Sequence, residues 1–260
     1  MFDELPASDP TDDAVLGGRL RLLQPRTGHR VGHDAILLAA ATAAHAGEHA
    51  IDLGAGVGAA GLALAVRVAG VSVTLIEIDR DLVALATENA DRNGLGQRVR
   101  AVALDIAAPA PAFTAAGVLP QSADHVLMNP PFRDPTRQQV SPDPRRRRAH
   151  ATPREMLGVW VDAAGRILRP GGSLTLIFQA DGIADVLQAC EPGFGAIAIM
   201  PIYPKPGLPA IRILVRALKA SRAPTKLQPG LLLNGDDGRP TAAAEAVLRG
   251  AAALSFDSVA

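Results

Sequence analysis

The chain has 260 residues, 48% of them hydrophobic, enough to bury one full core. Its 26 basic and 26 acidic residues cancel, and the lone Cys190 excludes an intramolecular disulfide and a cysteine-based zinc site, which suits a reducing cytosol. Residues 1–13 are acidic and carry prolines, unlike a signal peptide, and the longest apolar stretches (35–44 and 62–76) are too short or contain Arg67, so no membrane span is expected.

Along the chain, residues 1–18 read as a flexible tail by composition and residues 19–260 as a single domain. Short β-rich apolar runs at 49–53, 71–77, 99–103, 125–128 and 173–178 alternate with helical patterns. The helix at 81–93 places Leu82, Val83, Leu85, Ala86 and Ala90 on one face and stops at Gly94. Such alternation means α/β architecture: a parallel sheet with helices on both faces. Two last strands, at 196–200 and 211–217, are separated by a Pro/Gly-rich segment too short for a helical crossover, so this pair is expected to be antiparallel.

The first chemical motif is Asp52-Leu53-Gly54-Ala55-Gly56-Val57-Gly58, which leaves the first sheet strand and opens a helix. Glycines there let the backbone turn sharply and approach a ligand closely. Glu77 closes the next strand, where a carboxylate can accept hydrogen bonds from ribose hydroxyls. The pair signals a nucleoside-containing cofactor without naming it. Gly54, Gly56 and Ala59 also satisfy the dinucleotide pattern, so a nicotinamide enzyme fits equally at this point.

The second motif, Asn129-Pro130-Pro131-Phe132, follows the fourth strand. An exocyclic amine conjugated to a ring is a poor nucleophile because its lone pair is delocalised. The Asn129 side-chain carbonyl and the Pro130 main-chain carbonyl can each accept one N–H, favouring tetrahedral nitrogen as positive charge develops. Consecutive prolines stiffen the segment, and Phe132 offers a face for a flipped base. Arg145, Arg146, Arg147 and Arg148 follow. They belong to a zone, 133–154, with seven arginines against Asp134 and Asp143; a second zone, 205–226, has six basic residues and no acid. Two basic zones on a neutral chain suggest a polyanionic partner, with solvated charge the alternative.

These motifs resemble those of class I S-adenosylmethionine-dependent methyltransferases that modify amino groups. The segment Arg30-Val31-Gly32-His33-Asp34-Ala35-Ile36-Leu37-Leu38 is similar to a helix start in the bacterial tRNA1(Val) adenine-37 N6-methyltransferase family, with His33 where that family usually has threonine. Ser221-Arg222-Ala223-Pro224 and the stretch from Asp236 to Thr241 are similar to its C-terminal tail. The resemblance covers about residues 18–250. It implies a Rossmann-like methyltransferase sandwich of seven mostly parallel strands, ordered 3-2-1-4-5-7-6 with strand 7 antiparallel.

The resemblance also implies a cofactor, S-adenosyl-L-methionine, and site roles. Asp52, Gly54, Ala55, Gly56 and Gly58 would line its methionine part, Glu77 its ribose, and Asp105 and Ile106 its adenine, with Asp34 helping to close the site. Asn129, Pro130 and Phe132 would be catalytic; Pro131 and Arg145, Arg146, Arg147 and Arg148 would bind substrate. No metal is called for. His33 and His150 are given no firm role. The implied partner is tRNA, modified at adenine N6 in the cytoplasm. The alternatives are guanine N2 in ribosomal RNA, adenine in DNA, and a protein glutamine. The last is disfavoured because only 48 residues precede His49, too few for the helical substrate domain of glutamine methyltransferases. A nicotinamide oxidoreductase and a silent RNA-binding module stand outside the class.

Overall fold

The computed structural model describes residues 10–27, 30–131 and 153–256. It begins with an antiparallel hairpin, β1 (Thr11–Val15) and β2 (Leu20–Gln24), in register from Thr11 opposite Gln24 to Val15 opposite Leu20. This corrects the expectation of a tail through residue 18. The acids that made the segment look disordered have partners: Asp12 pairs with Arg21 at 3.0 Å and Arg92 at 2.7 Å, and Asp13 with Arg30 at 2.7 Å. Leu20 and Leu22 point into the core.

The main body alternates strand and helix. After α1 (His33–Ala41) come β3 (His49–Leu53), α2 (Ala59–Arg67), β4 (Ser72–Glu77), α3 (Arg80–Arg92) and β5 (Val99–Ala103). The chain then crosses to the other half of the sheet through α4 (Ala110–Ala115), β6 (Ala123–Met128), α5 (Pro153–Ile167) and β7 (Leu168–Gln179). It finishes with α6 (Ile183–Cys190), β8 (Phe194–Tyr203), β9 (Arg212–Lys219), the two-residue strands β10 (Lys226–Leu227) and β11 (Leu231–Leu232), and α7 (Ala242–Leu248).

The sheet runs β5-β4-β3-β6-β7-β9-β8, which is the expected 3-2-1-4-5-7-6, and β9 is antiparallel to both neighbours. The short β10 and β11 extend it by pairing parallel to β8. Strands buried on both faces tend to be apolar on both; β7 shows it at Leu174–Phe178, with Thr175 its one polar residue, whereas β3 and β4 bury Asp52 and Thr74 among their apolar residues. One apolar core holds Leu37, Leu62, Ala86 and Val247 of α1, α2, α3 and α7. The other holds Phe113, Leu157 and Val186 of α4, α5 and α6, so the helices cover opposite faces.

Local chemistry sets the helix bounds next to the site. Asp79 caps α3 by accepting from Asp81 N at 2.9 Å, and Gly94, at φ +67°, takes the left-handed conformation that ends it. Among the described residues no helix is long and apolar enough to cross a membrane.

Candidate active site

Strand order reverses between β3 and β6, and open α/β sheets bind ligands outside the carboxyl ends of the strands at such a point. Register brings the two motifs together there. Leu53 pairs with Met128 on one side and with Ile76 on the other, so Gly54, Asn129 and Glu77 leave three adjacent strands side by side. Ala55 N donates to Ile76 O at 2.9 Å, which folds the turn back over the end of β4.

The glycines of the turn do different work. Gly54, Gly56 and Gly58 all have positive φ (69°, 56° and 89°), a conformation that side chains disfavour. A Cβ on Gly54 would lie 2.2 Å from Cη2 of Trp160, and one on Gly58 would lie 2.9 Å from Leu75 Cδ1. A Cβ on Gly56 would meet no heavy atom of the described residues within 4 Å. Gly54 and Gly58 are therefore small to fit the protein, whereas Gly56 presents bare backbone to open space.

Glu77 is tied to this turn. Its Oε2 accepts from Gly56 N at 2.8 Å, and its Oε1 accepts from Ile78 N at 2.8 Å and Asp79 N at 3.0 Å. Three of about four lone-pair sites are thus in use, which leaves about one for a ribose hydroxyl unless a backbone donor is released. Beside it, Ile78 is 65% exposed, an apolar face that sequence reading missed. Leu104 N donates to Glu77 O at 2.9 Å, bringing Asp105 and Ile106 to the same edge. The Asp105 carboxylate accepts from Ala107 N at 2.8 Å, and Ile106 is buried.

Asp52 is placed differently from its neighbours in the motif. It is buried, and its Oδ2 accepts from Gly61 N in α2 at 2.8 Å. Burial pushes its carboxyl up to about 7, against the opposing pull of the Gly61 N–H and with help from the negative charge of Glu77. The folded protein therefore holds this proton more tightly than the unfolded chain. Stability from this group is fully present below the ordinary value of 3.8 and declines as pH rises to about 7. Asn keeps a carbonyl for Gly61 without the ionisation. Asp52→Asn should therefore gain melting temperature relative to wild type between about pH 5 and about pH 8. A gap that does not widen with pH in thermal melts would refute this account.

Asp34, in the first turn of α1, accepts from Arg212 Nε at 2.9 Å. Arg212 opens β9 opposite Gln179, the last residue of β7, so the ion pair lies at the same end of the sheet as the turn. His33 is exposed at the start of α1. On the second motif, Pro130 is buried and Pro131 exposed, and the side-chain oxygen of Asn129 is buried with no hydrogen-bond partner among the described residues. Phe132, the four arginines 145–148 and His150 lie outside the described residues.

The second basic zone does not form one face. Arg212 is held by Asp34, Arg216 lies 5.2 Å over the Phe256 ring, and Lys219 Nζ donates to Leu168 O at 2.5 Å. Arg212 and Lys219 are about 23 Å apart at opposite ends of β9, from a rise of about 3.3 Å per residue. Two clefts of about 580 and 270 Å³ meet at Arg166 and Lys219, at the opposite end of the sheet; Gly56, Glu77 and Asn129 line neither.

The site fits a nucleoside cofactor with an α-amino acid end: bare backbone at Gly56, a fixed carboxylate at Glu77 and an apolar face at Ile78. Comparison with known proteins bears on which one. The methyltransferase small domain matches residues 29–196, more than half of the chain. The tRNA1(Val) (adenine(37)-N6)-methyltransferase of Tolumonas auensis is 30% identical over 160 residues, 61% of this chain and 62% of that protein. The release factor glutamine methyltransferase of Chlorobaculum tepidum is 29% identical over 164 residues, 60% of this chain and 53% of that protein. The chain thus spans less than two thirds of the length of these two curated relatives. The crystal structure of a predicted O-methyltransferase from Agrobacterium tumefaciens superposes with a TM-score of 0.73 at 30% identity, covering 85% of this chain and 98% of that one. The tie that the glycine pattern left between a nicotinamide cofactor and S-adenosylmethionine is thereby resolved. With its fold, its glycine turn and this match, the chain belongs to the methyltransferase small domain family of class I, S-adenosylmethionine-dependent methyltransferases.

Proposed function

We propose that this protein methylates an exocyclic base nitrogen, adenine N6 in tRNA, in the cytoplasm. The observation that carries the reading is the buried Asn129 oxygen, which has no hydrogen-bond partner among the described residues. A buried acceptor without a donor costs about 1–3 kcal/mol, and such a group is retained where function uses it. An N–H from a substrate amine supplies the missing donor.

S-adenosylmethionine, when bound, provides a methyl group on a sulfonium, which is open to in-line displacement by a nitrogen. The chain's own residues hold and orient. Gly54, Ala55, Gly56 and Gly58 would receive the methionine part along the backbone, Glu77 a ribose hydroxyl, and Asp105, Ile106 and Ile78 the adenine. Asn129 Oδ1 and the Pro130 carbonyl accept the two N–H bonds of the substrate amine, so positive charge developing on nitrogen meets fixed dipoles. The two prolines keep these acceptors in place before substrate arrives. Phe132 would stack on the flipped base.

A tRNA substrate is supported by the relative from Tolumonas auensis, whose name gives that activity, by the resemblance around residues 30–38, and by the arginine run at 145–148. Methyl transfer from labelled cofactor to tRNA, ribosomal RNA, DNA and a glutamine peptide tests the choice directly. The expected product, after digestion of the tRNA, is N6-methyladenosine; a labelled peptide or DNA with unlabelled tRNA would refute it. If the four arginines touch about four phosphates, log affinity for tRNA should fall with log salt at a slope of about −3 to −4. Replacing all four with serine should flatten that slope and leave cofactor affinity unchanged. Superimposable salt curves would remove the run from the substrate site.

A further inference from the structure

Asn89 lies on α3, outside both motifs in sequence, and is completely buried. A buried amide in a helix needs partners for its carbonyl and its two N–H bonds. Asn89 has all three outside its own helix. Its Oδ1 accepts from Leu23 N at 2.7 Å, and its Nδ2 donates to Leu23 O at 3.1 Å and to Val57 O at 3.1 Å. Leu23 belongs to β2 of the N-terminal hairpin, and Val57 stands between Gly56 and Gly58 in the cofactor turn.

One turn on, at the C-cap of α3, Asn93 grips the same strand in the same manner. Its Oδ1 accepts from Arg21 N at 3.0 Å, and its Nδ2 donates to Arg21 O at 2.7 Å. Its remaining partner is Asn89 O in its own helix, so it has no link to the turn. The hairpin also reaches the other side of the site. Gln24 Oε1 accepts from Val31 N at 2.8 Å, and Arg30 pairs with Asp13, just before α1 brings Asp34 to the rim.

We infer that Asn89 is a positioning residue that couples the N-terminal hairpin to the cofactor turn, so that the hairpin braces the turn for binding. The link is continuous from β2 backbone through the Asn89 amide to the Val57 carbonyl. Val57 sits between two glycines at positive φ, where the backbone has the fewest local restraints, and a buried hydrogen bond to its carbonyl restricts the turn to one conformation. The hairpin then contributes to affinity without touching the cofactor. The inference rests on the assignment of the 54–58 turn to S-adenosylmethionine, and calorimetry of the wild type with S-adenosylhomocysteine tests that assignment separately.

The discriminating experiment compares Asn89→Ala with Asn93→Ala. Both lose two hydrogen bonds to β2, so both should melt at lower temperature. Only Asn89→Ala loses the bond to Val57. It should bind S-adenosylhomocysteine about tenfold more weakly and raise the KM for S-adenosylmethionine, with kcat at saturation unchanged, while Asn93→Ala keeps wild-type affinity. Equal affinities in the two variants, or losses that simply follow melting temperature, would overturn the proposal. Should Asn89→Ala not fold, the wild type supplies the second measurement, because coupling between two sites is reciprocal. Saturating S-adenosylhomocysteine should slow amide exchange at Leu23 and the rest of β2, and leave α7 unaffected. Exchange in β2 that ignores the ligand would likewise overturn it.

Discussion

An Asn129→Ala enzyme is expected to bind S-adenosylhomocysteine as tightly as the wild type and to turn over about 10²–10³-fold more slowly, the loss typical of removing one preorganised dipole from a charge-developing centre. The acceptor matters as positive charge builds on nitrogen and contributes little to holding the cofactor. Stability should move the other way. The substitution removes a buried carbonyl oxygen that has no partner among the described residues, and with it a cost of about 1–3 kcal/mol, set against the packing lost with the side chain. Melting temperature should therefore hold or rise while turnover collapses. Single-turnover rates and melts on one preparation check both halves. An Asn129→Ala enzyme at the wild-type rate would sink the proposed chemistry and leave the fold untouched.

Gly56→Val should bring the second large loss: affinity for S-adenosylhomocysteine down by about 100-fold or more. The reason is the contrast among the three glycines. Substituting Gly54 or Gly58 drives a Cβ into Trp160 or Leu75, so a loss of binding there reports on the fold. At Gly56 a Cβ meets no heavy atom of the described residues within 4 Å. The cost at the backbone is the left-handed conformation, about 1–2 kcal/mol for an L residue and more for a β-branched one, which the folded state should survive. Circular dichroism should look native and calorimetry should show little heat, with Gly56→Ala falling between the two. A Gly56→Val protein with wild-type affinity would mean that the cofactor lies elsewhere.

The sheet was legible because its signals are local. A strand buried on both faces, such as Leu174–Phe178 of β7, shows as a short apolar run, and the short link before Arg212 leaves no room for a crossover. The glycine turn was legible for the same reason, since it occupies one turn at one strand end. Features that depend on distant partners were hidden. Asn89 sits in a polar stretch of α3 and reads as solvated; its burial follows from β2, some 66 residues earlier. The hairpin was hidden in turn, because Asp12 and Asp13 look like a charged tail until Arg21, Arg30 and Arg92 are beside them. Ile78 carries no periodic signal: it follows a strand and precedes a helix, and only its exposure next to Glu77 marks it. Lys219 shows the converse. Its charge suggested a binding face, yet it caps the Leu168 carbonyl at the far end of the sheet.

The contact between Trp160 and Gly54 makes the protein its own optical probe. Trp160 is the chain's one tryptophan, and the six-membered ring of its indole rests on the first glycine of the cofactor turn, partly open to solvent. Indole emission responds to the water around the ring, so a ligand that settles on this turn should change the colour or yield of the whole tryptophan signal. With a single emitter, none of that change needs to be apportioned. Occupancy of the turn can thus be followed in real time on unlabelled protein, including under stopped flow, where arrival of the cofactor can be timed.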